Sequence, residues 1–148
     1  MMDLRELHQE VIMDHNRNPR NHYEMADANA EANGFNPLCG DKLTVYLKLQ
    51  DDQVEAISFK GCGCAISQAS ASLMTEAVQG KTIAEAQELF ERFHAMLTQE
   101  GSESPLGVDK LGVLAGVKAY PARVKCATLA WHTVHAALTK STTIVSTE

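Results

Sequence analysis

The chain has 148 residues, 45% hydrophobic and 22% charged, which fits one globular domain large enough to hold a core without disulfides. A net charge of −6 argues against a nucleic-acid binder, which carries a basic face. No apolar run reaches the roughly 18 residues of a membrane helix, and Met1-Met2-Asp3-Leu4-Arg5-Glu6 lacks the basic-then-apolar order of a signal peptide. A cytoplasmic location is therefore expected, and the four cysteines read as ligands or reactive thiols rather than disulfides.

Leu4, Leu7, His8, Val11 and Ile12 recur at helical spacing and predict a first amphipathic helix, ended by Pro19 and its asparagine neighbours. Residues 21–36 show no period and read as loop or irregular structure. Leu43, Val45, Leu47 and Leu49 alternate with Thr44, Tyr46 and Lys48, the pattern of a strand with one buried face. Asp51-Asp52 supplies a turn and Val54 to Lys60 a second strand, so the pair reads as an antiparallel hairpin.

Gly61-Cys62-Gly63-Cys64 then leads into a small-residue run, Ala65 to Val78, that predicts a helix with Gly80 placed to cap it. Thr82-x-x-Glu85 is a capping box. It opens a helix whose apolar face is Ile83, Ala86, Phe90, Phe93 and Leu97. Gln99 to Pro105 reads as a polar loop, and Leu106 to Tyr120 as loop with a short helix. Pro121 suits the first turn of a last helix through Leu129, Val134 and Leu138. The polar tail, 141–148, is expected to be disordered. Together these elements predict one α+β domain over 1–140, a small antiparallel sheet covered on one face by helices.

The cysteines sit at element boundaries. Cys39 precedes the first predicted strand, Cys64 follows a Gly-x-Gly turn at a helix start, and Cys126 is placed in the first turn or so of the last helix. Helix N-termini offer free N–H groups and a positive dipole end, which suit an anionic ligand. Asp41 stands two residues after Cys39, close enough in a turn to share a metal. Three thiolates and a carboxylate are ordinary zinc ligands, and the harder oxygen donor exchanges more easily than sulfur. The long gaps between cysteines leave two readings open on spacing alone: a shared metal site at one end of the sheet, or separate small apolar side chains.

The surrounding blocks decide between them. Asn36-Pro37-x-Cys39-Gly40-Asp41, Gly63-Cys64-Ala65-Ile66-Ser67 with Ala69 to Glu76, and Pro121-Ala122-Arg123-Val124-Lys125-Cys126 with Ala127 to Trp131 resemble the U-type iron–sulfur cluster assembly proteins, the family of IscU, SufU and the NifU N-terminal domain. Val11 to His15 and Asn18-Pro19-Arg20-Asn21 fit the same family. Lys125 before Cys126, where the IscU branch has histidine, and a longer spacer after Cys64 resemble the SufU branch. The Leu-Pro-Pro-Val-Lys segment of IscU-type chaperone binding is absent.

The resemblance implies a zinc ion on Cys39, Asp41, Cys64 and Cys126, with an iron–sulfur cluster as the alternative occupant. It implies a sulfur acceptor on Cys39, fed by a SufS-like cysteine desulfurase and serving apo iron–sulfur proteins, rather than a stand-alone enzyme. Arg123 and Lys125 are candidate supporting cations. Cys62 stands where the family has another residue and is read as a bystander or an alternate ligand. His15 is read as lying near a partner surface. His8-Gln9-Glu10, Gly80-Lys81-Thr82 and the His132/His135 pair fit packing, capping and surface roles better than deaminase, phosphate-loop or metal motifs.

Overall fold

The structure, a computed structural model, describes residues 4–37, 40–98, 121–139 and 145–146. Helix α1 (Leu4–Arg17) is followed by strands β1 (Ala30–Asn36), β2 (Asp41–Gln50) and β3 (Gln53–Cys62). Helices α2 (Ala65–Val78), α3 (Ile83–Thr98) and α4 (Pro121–Leu138) come next, then a two-residue strand β4 (Val145–Ser146). The sheet order is β3-β2-β1-β4. Neighbours among β1, β2 and β3 run antiparallel, and β4 runs parallel to β1. The predicted α+β class therefore holds.

The hairpin forms as expected, but each strand is longer at the end away from the turn, so Asp41 and Cys62 lie inside strands. Asp51 and Asp52 turn the chain with φ of 52° and 62°, the left-handed geometry of a tight hairpin turn. Helix α2 spans the predicted run, and Gly80 follows it with φ of 85°. The capping box closes reciprocally: Thr82 N donates to Glu85 Oε1 at 3.0 Å, and Glu85 N to Thr82 Oγ1 at 3.1 Å.

Strand β1 corrects the expectation of irregular structure over 21–36. Its burial alternates, but the inward positions are Ala32, Gly34 and Asn36, which carry no hydrophobic period. Packing requires that smallness. A Cβ on Gly34 would stand 2.1 Å from Thr133 Oγ1 and 3.1 Å from Leu129 Cδ1, so only glycine lets α4 lie this close to the sheet. Val145–Ser146 pair with Gly34 and Phe35, within the stretch expected to be a disordered tail. The loop and short helix predicted over 99–120 lie outside the described residues.

The core lies between the sheet and the helices. Leu43, Val45, Leu47, Ile57 and Phe59 point inward from β2 and β3 and meet Leu73, Met74, Leu129, Trp131 and Val134 from α2 and α4. Each such side chain contributes roughly 1.5–3 kcal/mol when fully buried. Helix α3 is docked through Ala86, Phe93 and Leu97, with Phe93 stacked on Trp131 at 4.5 Å between ring centres. Helix α2 packs on α1, α4 and β3. Its run Ala69-Ser70-Ala71-Ser72 keeps these approaches short, and Ser70 Oγ donates to the Ala127 carbonyl of α4.

Candidate metal centre

Three elements converge at one end of the sheet. Asp41 opens β2, Cys64 precedes α2, and Cys126 lies in α4. The potential ligand atoms of these three residues all lie within 4.8 Å of one another. Asp41 is fully buried, Cys126 nearly so, and Cys64 is half-buried.

Local sequence explains each position. Gly40, with φ of 71°, permits the turn that returns the chain into β2, so Asp41 faces Asn36 across the β1–β2 pair. Cys64 is the N-cap of α2, and its Sγ accepts from Ser67 N at 3.4 Å. Gly63 leaves room for the carboxylate, since a Cβ there would stand 2.7 Å from Asp41 Oδ1. Cys126 is the sixth residue of α4, in its second turn rather than its first. The free N–H groups of that helix end therefore lie at earlier residues, which narrows the expected placement in the first turn or so.

The carboxylate is held at both oxygens. Cys64 N donates to Oδ1 at 2.8 Å, and Asn36 Nδ2 donates to Oδ2 at 3.3 Å. The same Asn36 Nδ2 lies 3.5 Å from Cys126 Sγ, and Cys64 Sγ is 4.0 Å from Asp41 Oδ2. Ligand atoms on one tetrahedral zinc stand about 3.3–3.8 Å apart, given bonds near 2.0–2.3 Å. Two sulfurs and one oxygen at these separations fit such an ion with small closure and leave one position for a fourth donor. Cys39, expected as that donor, lies outside the described residues.

The other expected residues divide. Arg123 and Lys125 lie on α4 just ahead of Cys126, Arg123 exposed and Lys125 half-buried. Cys62 is exposed, faces Lys42 across the hairpin, and does not belong to the ligand group. Asn36 was legible only as part of a motif. Its role depends on pairing with Asp41, and the small buried residues of β1 conceal that pairing from a hydrophobic pattern.

Two histidine groups lie elsewhere. His15 is buried at 1% exposure, which corrects its placement near a partner surface. His15 Nδ1 is 2.7 Å from Ser72 Oγ, and Nε2 is 3.5 Å from Glu76 Oε1. Ser72 Oγ also accepts from Arg20 N at 2.8 Å. With Nε2 protonated toward Glu76, Ser72 donates to Nδ1, a tautomer assigned from this network. The serine–histidine–glutamate order looks nucleophilic, but Ser72 is at 0% exposure and no substrate reaches it. The second group gathers His94, His132 and His135 around Phe90, at 4.8–5.9 Å between ring centres. Burial, then the neighbouring His94 and His135, pushes the His132 imidazole below its usual 6.5.

Comparison with known proteins points one way. The family model of the NifU-like N terminal domain matches residues 7–145. The zinc-dependent sulfurtransferase SufU of Bacillus subtilis is 39% identical over 138 residues, covering 93% of each chain. The iron–sulfur cluster assembly scaffold protein IscU of Streptococcus pyogenes is 37% identical, covering 93% of this chain and 86% of its own. The crystal structure of a candidate SUF-system iron–sulfur cluster scaffold from Fervidobacterium islandicum superposes with a TM-score of 0.79 at 37% identity, over 87% of this chain and 94% of that one.

Proposed function

Because this chain belongs to the NifU-like N-terminal family, we propose that it is an iron–sulfur cluster assembly factor that accepts sulfur at a zinc-held cysteine site. The observation that carries the reading is the convergence of Asp41, Cys64 and Cys126 from three elements. The similarity to a zinc-dependent sulfurtransferase over 93% of both chains supports zinc as the occupant. Asp41, Cys64 and Cys126 would hold the ion with Cys39, and a bound zinc would keep the cysteine sulfurs anionic.

Sulfur enters by thiol exchange. The Cys39 thiolate attacks the outer sulfur of a persulfide on a SufS-like, pyridoxal-phosphate cysteine desulfurase. A new S–S bond forms on Cys39, the donor's S–S bond breaks, and the donor cysteine leaves as thiolate. Arg123 and Lys125 supply positive charge beside Cys126 for the resulting persulfide anion. The position of Cys62, exposed and paired with Lys42, favours the bystander reading over the alternate ligand. The sulfur goes on to apo iron–sulfur proteins, and the work is cytoplasmic. None of the described helices is long and apolar enough to cross a membrane.

Incubation with a SufS-like desulfurase and cysteine, followed by mass spectrometry of digested protein, tests this directly. Persulfide on Cys39 is expected, and its absence from every cysteine would overturn the relay. A second reading, a scaffold on which a cluster is built and released, is favoured by the IscU similarity and by a donor set that also suits iron. Anaerobic reconstitution separates the two: a stable, transferable cluster supports the scaffold, and zinc that resists replacement supports the relay.

A further inference from the structure

Asn36 is the last residue of β1 and has no exposed surface. Asparagine is a poor strand former, and a buried amide is costly unless its hydrogen bonds are made. Here the amide nitrogen reaches two ligand residues on two different elements, Asp41 of β2 at 3.3 Å and Cys126 of α4 at 3.5 Å. The backbone N–H of the third ligand residue, Cys64, takes the other carboxylate oxygen at 2.8 Å. Both Asp41 oxygens are thus fixed by protein donors, and Gly63 clears the space beside them. A carboxylate has about four lone-pair sites, so each oxygen keeps capacity for a metal.

We propose that Asn36 is the positioning residue of this centre, setting the Asp41 carboxylate and the Cys126 sulfur in ligand geometry before the ion arrives. The inference rests on the reading of the cluster as a zinc site. It assigns Asn36 a part that works through Asp41 and Cys126 rather than through contact with the ion. Hydrogen-bonded partners of metal ligands typically account for 10–100-fold in affinity. The loss on removing Asn36 should fall in that range and should depend on Asp41 being present.

The test is a double-mutant cycle on the full chain with Zn²⁺ as probe. Affinity is read by competition with a chromophoric chelator, and thermal unfolding is read on the metal-free proteins. Asn36→Ala should weaken zinc binding by about 10–100-fold, and in an Asp41→Ala background the same change should cost much less. If Asn36→Ala does not fold, Asn36→Thr raises strand propensity and keeps one donor, and should show a smaller loss of the same kind. Unchanged affinity in a folded Asn36 variant, or costs that simply add, would overturn the proposal. Wild-type protein that fails to bind zinc would instead overturn the reading of the cluster.

Discussion

Helix α2 carries a polar cluster at each end, and the two are built to opposite purposes. At its N-terminus, Cys64 meets Asp41, and Asn36 ties Asp41 to Cys126, through contacts of 2.8–4.0 Å. Sulfur and carboxylate there keep acceptor capacity. About 12–18 Å further along the axis, at 1.5 Å per residue, Ser72, Thr75 and Glu76 meet His15, Arg20 and Asn21. In that second cluster each polar group has its match: Arg20 N on Ser72, Ser72 on His15, His15 on Glu76, Asn21 Nδ2 on Thr75, and Thr75 on the Ser72 carbonyl. One end of the helix has lone pairs to offer an ion, while the other spends its own on fastening α1 and the following loop. A buried polar group becomes chemistry when its partners leave it acceptor capacity, and becomes structure when they do not.

Variants at the two ends should separate these roles. The largest effect belongs to Asp41→Ala, which removes a ligand and should weaken zinc binding more than any other variant while leaving a measurable affinity through the remaining sulfurs, read by chelator competition. His15→Ala breaks the second cluster and should cost about 2–3 kcal/mol in chemical denaturation, with zinc affinity unchanged. An equal loss of zinc in that variant would show that the two ends are not independent. Gly63→Ala pushes a methyl against Asp41 and should cost about 1–2 kcal/mol, with a several-fold fall in affinity. Thr82→Ala removes the cap of α3 and should cost about 1 kcal/mol, touching neither end of α2.

The smallest effect is on pH dependence. The fold favours neutral His132, whose pKa lies below 6.5. Its contribution is therefore complete above about pH 6.5 and is lost as pH falls through the lowered value. His132→Asn should lose less stability than wild type between pH 7 and 5 in urea melts.

The hairpin and α2 were legible because their signals are local. Leu43 to Leu49 alternate, Asp51-Asp52 turns, and a run of small residues ends at a glycine with positive φ. Strand β1 was hidden because α4 demands small residues where a strand would otherwise show Val or Ile. Losing β1 also hid Asn36, whose role exists only across the strand pair. His15 carried a signal that went unread, since it continues the stripe of Leu4, His8 and Val11 by one more turn. The cysteine set was readable from motif blocks rather than spacing, because Asp41, Cys64 and Cys126 meet only after the sheet and two helices have packed. Pro121 marks the start of α4 closely, and Cys126, read as lying in the first turn or so, sits early in the second turn because the inward face begins there.

The short strand β4 has a consequence for how copies of this protein meet. A sheet edge presents unpaired N–H and C=O groups that can template pairing with another chain. Val145 and Ser146 occupy the outer side of β1 at Gly34 and Phe35, immediately before Asn36. The chain thus shields with its own backbone the part of that edge nearest the centre. A neighbouring molecule seeking to extend the sheet there must first displace it.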